Sequence, residues 1–282
     1  MLGRADGTVG IIAGSGAFPL EIAASLTRSN LPVFIVALRG FAEREFKAYP
    51  HIVADMLDPH AILEALHHRG IDKVILAGGV SRPGPLALLS IYTFFRNREE
   101  LRRIVSGGDD RILRGVIKLF EENGFKVLGV DEAAPDVLAA LGPLGKIKPE
   151  QARDADIQVA LDCLKTLGRF DVGQGVVVAG SRILAIEGPE GTDAMLRRVA
   201  EMQKNRRVSL DTPSAILVKA SKPGQDRRVD LPAIGPRTVH LAKQAGLIGI
   251  ALASHDVVLV ERAKLLALAD REGLFVTGVW AE

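Results

Sequence analysis

The sequence predicts an α/β protein, with a doubly wound parallel sheet in its first half and a second α/β domain with a mixed sheet in the rest. Three observations carry this expectation. Strand-like apolar runs alternate with helix-like segments from end to end. The apolar mass is aliphatic, with 48% of residues hydrophobic and only 5% aromatic, the mix of parallel strands covered by helices. The 282 residues exceed the usual size of one core, so two domains of about 140 residues are expected.

Taken in order, TVGIIA (8–13) is a buried strand, and a helix follows from about Pro19 to Ser29. LPVFIVAL (31–38) is the next strand. A helix over Pro59 to Arg69 leads into the strand DKVILAG (72–78). A helical region broken at SGGDD runs to Asn123, and FKVLGV (125–130) closes the half. Repeated strand–helix units with short turns make a parallel sheet. The stretch LGPLGKIKPE (141–150) concentrates Gly, Pro and Lys and is the linker candidate. It gives domains 1–143 and 144–282. Beyond it come a helix (151–168), the strands GVVVAG and RILAIEG around a short turn, and a helix from about Asp193 to Lys204. The strand SAILVKA (214–220), a polar loop, a helix from Pro236, the strands LIGIAL and VVLV, a helix (261–271) and LFVTGV complete the chain. The tightly joined strand pair at 175–187 makes this second sheet mixed.

Bulk features exclude several classes. A net charge of +2, with no aromatic residues interleaved in a basic stripe, argues against nucleic acid as a partner. The single cysteine, Cys163, rules out an internal disulfide framework and suits a reducing compartment. The N-terminus has no secretory pattern, and the longest nearly apolar run, Leu86 to Phe95, is too short to span a bilayer. The following run to Val105 adds Arg96, Arg98, Arg102 and Arg103. That block reads either as a contact for acyl chains and acidic headgroups or as a core helix with a solvated basic end. A Walker loop, an H-E-x-x-H pair and a G-x-S-x-G elbow are all missing from the sequence. His60, His67 and His68 match no metal spacing.

Five segments carry polar chemistry. In GIIAGSGAFP, a strand ends in Gly14-Ser15-Gly16 and a helix begins near Pro19. Such glycines let backbone N–H groups approach a phosphate at a helix N-terminus; a tight turn is the alternative. The loop departs from the dinucleotide fingerprint, because Pro19 holds the third glycine position. The second strand ends in Leu38-Arg39-Gly40, without an acid for a ribose. Arg39 leaves an NADP-dependent oxidoreductase as an alternative function. AGGVSRPG places Gly78, Gly79, Val80 and Arg82 at the carboxyl end of a strand, where open α/β sheets bind ligands. In SGGDDRIL, Asp109 and Asp110 either cap a helix or contact a hydroxyl or metal. In AIEGPEGTDAML a strand runs into Glu187; Thr192 or Asp193 is a helix cap, while Glu190 and Asp193 also offer oxygens to Mg²⁺. The fifth, VKASKPGQDRRVDLPAIGP, packs Lys219, Lys222, Gln225, Asp226, Arg227, Arg228 and Asp230 into one loop. Cations that neutralise phosphate oxygens beside a carboxylate that holds a metal or activates water suit phosphoryl transfer.

Together, AGSGAFP, GGVSRP, GGDDRIL, AIEGPEGTDAML and K-x-x-KPGQDRRVDLPAIGP resemble the LpxI family of UDP-2,3-diacylglucosamine pyrophosphatases of lipid A synthesis, over residues 8 to 279. The resemblance implies a Rossmann-like N-terminal domain, a distinct C-terminal domain and a ligand between them. It implies hydrolysis of UDP-2,3-diacylglucosamine to UMP and 2,3-diacylglucosamine 1-phosphate (lipid X), by water attack at the β-phosphorus, with Mg²⁺ or another divalent cation. It also implies a Gram-negative source and a cytoplasmic enzyme peripheral to the inner face of the inner membrane. On this reading Asp226 leads, as metal ligand or water activator, and Glu190 and Asp193 help hold the metal. Lys219, Lys222 and Arg228 bind phosphate oxygens, and Gln225 orients the water or a phosphate oxygen. Gly14, Ser15, Gly16, Gly78, Gly79 and Val80 contact the nucleotide or sugar phosphate, and Arg82, Asp109, Asp110 and Thr192 complete the substrate-binding set. A non-enzymatic nucleotide or lipid sensor is the remaining alternative, and assembly as a homodimer is left open.

Overall fold

The computed structural model describes residues 7–41, 44–80, 109–170, 172–205, 214–229 and 231–281. Arg82, Asp230 and the apolar-basic run 86–105 lie outside the described residues. The chain forms two compact units. Unit 1 is Met1–Ala134 with Asp226–Asp230, and unit 2 is Pro135–Gln225 with Leu231–Glu282.

Unit 1 is built on a five-stranded, all-parallel sheet in the order β3-β2-β1-β4-β5. The strands are β1 (Val9–Ala13), β2 (Val33–Leu38), β3 (His51–Ala54), β4 (Lys73–Ala77) and β5 (Lys126–Val127). Every residue of β1 and β2 is buried, which is why both read as continuous apolar runs. The sequence reading has no strand at 51–54. This edge strand is short and half exposed, so it shows neither an apolar run nor a clean alternation. Helices α1 (Phe18–Arg28), α2 (Pro59–His67) and α3 (Asp109–Glu122) lie between strands of this sheet, and the short α4 (Val130–Ala133) follows β5. Asp58 caps α2 by accepting from the Ala61 N–H at 3.1 Å. Phe34, Val36, Leu66, Val74, Phe120 and Phe125 pack in one core. From β1 the strand order runs outward in both directions, so its carboxyl end and that of β4 bound the topological switch point, the place where such sheets bind ligands.

Unit 2 carries a six-stranded mixed sheet, β6-β13-β11-β9-β7-β8. Its strands are β6 (Gly142–Pro143), β7 (Gly175–Ala179), β8 (Arg182–Ile186), β9 (Ile216–Lys219), β11 (Gly249–Ala253) and β13 (Phe275–Val279). The trio β9, β11 and β13 is parallel, whereas β7 is antiparallel to both β8 and β9. A small parallel pair, β10 (Ala233–Ile234) and β12 (Val258–Leu259), stands apart. Helices α5 (Asp154–Gly168), α6 (Gly191–Lys204), α7 (Pro236–Gln244) and α8 (Arg262–Glu272) complete the unit. The turn between β7 and β8 is Gly180-Ser181, both left-handed, as a two-residue hairpin requires. Buried Asp156 on α5 fixes it by accepting from the Gly180 and Ser181 N–H groups at 3.2 and 2.5 Å. Cys163 packs against the core of this unit, and burial pushes its thiol pKa up.

Two features differ from the expected division of the chain. The stretch 141–150 is pinned to unit 2 and is no free linker. Gly142 and Pro143 pair with β13, the Lys146 N–H donates to Asp270 at 2.7 Å, and Leu144 and Ile147 pack on the core. Its Gly, Pro and Lys content masks those two apolar anchors. Second, Asp226–Asp230 groups with unit 1 although it lies deep in the second half of the chain. Val229 packs against the unit 1 core.

Candidate active site

At the switch point of unit 1 the two glycine loops are zipped to each other. Ser15 and Gly79 form a bridge, with Ser15 N–H to Gly79 O at 2.8 Å and Gly79 N–H to Ser15 O at 2.9 Å. The Ser15 hydroxyl adds a bond to Gly79 O at 2.9 Å, and Gly14 N–H donates to Ala77 O at 2.8 Å. A Cβ on Gly14 would sit 2.5 Å from Gly79 O, and one on Gly78 would sit 2.8 Å from Gly14 C. These glycines therefore serve loop-to-loop approach, and the N–H groups of Gly14, Ser15 and Gly79 are committed to backbone partners. Gly16 is left-handed at φ +92 with open space beside it, and Val80 is exposed. Helix α1 begins right after this loop with no side-chain cap hydrogen bond and with Pro19 in its first turn, and a helix N-terminus of this kind favours an anion. Asp109 and Asp110 are the first two residues of α3; their side chains lie outside the described residues.

The segment Asp226–Val229 is a charged clamp in unit 1. Arg228 grips Asp226 at two points, Nε to Oδ1 at 2.9 Å and Nη2 to Oδ2 at 2.7 Å, and its backbone N–H reaches Oδ1 at 3.1 Å. The same guanidinium donates through Nη1 to Glu121 on α3 at 2.7 Å. Arg227 donates to Asp131 at 3.1 Å. The Arg228 hydrogen bonds hold the Asp226 carboxyl below the ordinary carboxylate range. Partial burial opposes them, and the charges of Arg228 and Arg114 add to the lowering. Asp226 raises the Arg228 pKa in turn. A fork of this kind is the strong, directional form of ion pair. It keeps Asp226 ionised and makes it a weak proton acceptor.

In unit 2 the polar centre is Lys219, the last residue of β9 and only 3% exposed. Its Nζ donates to Thr192 Oγ1 at 2.7 Å and lies 3.5 Å from Glu187 Oε2. Thr192 donates to Glu187 Oε1 at 2.8 Å. Thr192 thus caps nothing: α6 starts at Gly191, and its N-cap residue Glu190 makes no capping bond. Asp193 lies in the first turn, paired with Arg237 at 2.7 Å and Arg197 at 3.9 Å. Lys222 to Gln225 form a turn with Pro223 and left-handed Gly224 (φ +76) in its centre, closed by Gln225 N–H to Lys222 O at 3.2 Å. Gln225 Oε1 accepts from the Lys222 N–H at 3.0 Å and from Gln174 at 2.9 Å. The next anchor is Ser221 N–H, which donates to Asp256 at 2.6 Å. The carbonyl of Gln225 is therefore a loop fastener.

The structure thus brings Lys219 and Thr192 together in unit 2, Asp226 and Arg228 together in unit 1, and the two glycine loops together at the switch point. Sequence reasoning missed Glu187 as a site residue. Its signal is an acid at the end of a strand, five residues before Thr192, with Gly175 opening the neighbouring strand and Gly173 just before it. The three carboxylates expected to hold Mg²⁺ do not fit a preformed protein-held ion. Asp226 is gripped by Arg228, Glu190 lies 3.3 Å from Arg198, and Asp193 pairs with Arg237. Each already has a cation, and among the described residues no three His, Cys, Asp or Glu side chains group as metal ligands.

Comparison with known proteins accounts for both units. The LpxI N-terminal domain model matches residues 8–137, and the LpxI C-terminal domain model matches residues 140–277. The UDP-2,3-diacylglucosamine pyrophosphatase LpxI of Caulobacter vibrioides is 40% identical over 271 residues, covering 96% of this chain and 97% of that protein. Among solved structures, an isoflavone reductase aligns with 97% of this chain and 78% of its own at 13% identity, but its TM-score of 0.28 carries no argument. Two domain models in tandem and a relative matched from end to end show that this chain belongs to the LpxI family.

Proposed function

We propose that this chain hydrolyses UDP-2,3-diacylglucosamine to UMP and 2,3-diacylglucosamine 1-phosphate (lipid X). Water attacks the β-phosphorus, the bond from that phosphorus to the bridging oxygen breaks, and UMP leaves. The observation that carries this reading is the 40% identity to a UDP-2,3-diacylglucosamine pyrophosphatase over 96% of the chain. The same relationship does not favour an NADP-dependent oxidoreductase.

The chemistry asks for fixed charges around a diphosphate, since phosphoryl transfer is catalysed by positioning and electrostatic stabilisation. Lys219, Lys222 and Arg228 supply positive charge to phosphate oxygens. Removal of one such donor costs roughly a hundred- to a thousandfold in kcat. Asp226, held ionised by Arg228, acts through its negative charge and its hold on that arginine. The start of α1, which has no side-chain cap, and the Gly16 turn before it take the nucleotide phosphate. Mg²⁺ would be carried by the substrate diphosphate rather than by these carboxylates, and would supply positive charge to it. The two acyl chains stay in the bilayer, so the enzyme works peripherally at the cytoplasmic face of the inner membrane. Among the described residues no helix is long and apolar enough to cross a membrane.

The test is incubation with UDP-2,3-diacylglucosamine in ¹⁸O water, with Mg²⁺ or with excess chelator. The expected result is Mg²⁺-dependent release of UMP, with the label in the lipid X phosphate. Label in UMP would move the attack to the α-phosphorus. Ligand binding without UMP release would replace the enzyme with a sensor.

A further inference from the structure

We propose that Glu187 is a positioning residue of this reaction: its buried carboxylate holds the Lys219 ammonium and the Thr192 hydroxyl in one fixed arrangement at the carboxyl end of β9. The inference rests on the reading above that Lys219 meets the diphosphate.

The arrangement begins in the sheet. Strands β8 and β9 flank β7, and both run antiparallel to it. Gly175 on β7 stands opposite Lys219, and on its other side its carbonyl accepts from the Glu187 N–H at 2.8 Å. Lysine and glutamate thus lie on either side of a residue without a side chain, and they meet across it. A Cβ on Gly175 would be 2.5 Å from Glu187 Oε2, and one on Gly173, left-handed at φ +41, would be 1.9 Å from Glu187 O. Both glycines leave room for Glu187, one for its side chain and one for its backbone.

The hydrogen bonds then fix direction. The single hydroxyl proton of Thr192 goes to Glu187 Oε1, and a lone pair of the same oxygen accepts from Lys219. The hydroxyl has no rotational freedom left. Glu187 Oε2 is buried and receives no hydrogen bond from the described residues; the Lys219 ammonium at 3.5 Å is its counter-charge. Lys219 and Glu187 are 3% and 9% exposed. A buried ion pair is a poor way to gain stability, because apolar residues of similar volume do as well or better. What this one supplies is orientation. It holds a cation and a hydroxyl where, on the proposed function, transferred charge must be met.

The decisive variant is Glu187→Gln, which keeps size and an acceptor for Thr192 but removes the charge opposite Lys219. Expected is a kcat lower by roughly ten- to a hundredfold with KM within about threefold of wild type, the mark of lost alignment and not of lost binding. In Lys219→Met the further change Glu187→Gln should cost nothing more, since the partner it positions is gone. The ammonium of Lys219, assigned by its loss in Lys219→Arg, should give a slowly exchanging ¹⁵N signal that Glu187→Gln abolishes. Should Glu187→Gln fail to fold, Glu187→Asp retains the charge with a shorter reach and should fold with reduced kcat. Wild-type kcat in a folded Glu187 variant, or additive losses in the double variant, overturns the inference. If the wild type releases no UMP, the proposed function falls, while the ammonium signal still tests the pairing.

Discussion

Replacing Gly14 by Ala tests whether the switch-point glycines act by loop contact or by yielding space to a phosphate. The new methyl would start 2.5 Å from Gly79 O and 3.0 Å from the carbonyl carbons of Gly78 and Gly79. All three are backbone atoms, so no rotamer change relieves the overlap. The loops must part by about 0.9 Å to reach ordinary van der Waals contact. Three bonds would then stretch beyond useful range: Ser15 N–H to Gly79 O at 2.8 Å, its reverse at 2.9 Å and the Ser15 hydroxyl at 2.9 Å. At about 1 kcal/mol each, reduced because Ser15 is exposed and water replaces part of the loss, the bridge weakens by about 2 kcal/mol. That corresponds to roughly thirtyfold faster hydrogen exchange at the Ser15 and Gly79 amides. Amide exchange is the right assay because it reads this bridge alone, whereas global unfolding of a two-unit chain need not be two-state. Gly16 provides the control. Its conformation is left-handed in open space, so Gly16→Asn should be milder than Gly16→Ala, since Asn tolerates that region. At Gly14 the problem is volume, so Asn should be no better than Ala. Unchanged amide exchange in Gly14→Ala would refute the loop-contact reading.

Two further outcomes concern Asp226. Asp226→Ala should remove UMP release while leaving substrate affinity, followed by calorimetry with Mg²⁺ and substrate, within a fewfold of wild type; near-normal turnover would sink its leading role. Because the folded pKa of Asp226 is depressed, its stabilising contribution is fully present above the ordinary aspartate value and is lost as pH falls through the lowered one. The stability difference between wild type and Asp226→Asn should therefore be flat from pH 5 to 8 and shrink only in acid, as read by amide exchange in unit 1, corrected for intrinsic rates, across pH.

The strands legible in the sequence were those buried on both faces. VGIIA, VFIVAL and GVVVA are continuous apolar runs because helices cover parallel and central strands on each side. The edge strand HIVA is half exposed and only four residues long, and nothing local separates it from a loop. The same limit explains the stretch 141–150. Glycine, proline and lysine are what a linker and an edge strand share, and only the pairing of Gly142 and Pro143 with β13 distinguishes them. No local signal could reveal that Asp226–Asp230 joins unit 1, because Val229 finds its core partners more than a hundred residues earlier in the chain.

At the candidate site, residue type and location were legible, but partnership was not. A sequence shows that Gln225, Thr192 and Lys219 are polar groups near strand and helix ends; it does not show how their valences are spent. Gln225 Oε1 is spent on fastening its own loop, and Thr192 is spent on Glu187 and Lys219 rather than on the start of α6. Glu187 was passed over for the same reason. An acid at a strand end looks solvated until Gly175 is seen to be the only residue between it and a buried lysine. Burial then decides the question. An exposed Lys–Glu pair would be worth little and would fix nothing. At 3% and 9% exposure each is the other's counter-charge out of water, and on the inference above Glu187 sets the position of Lys219.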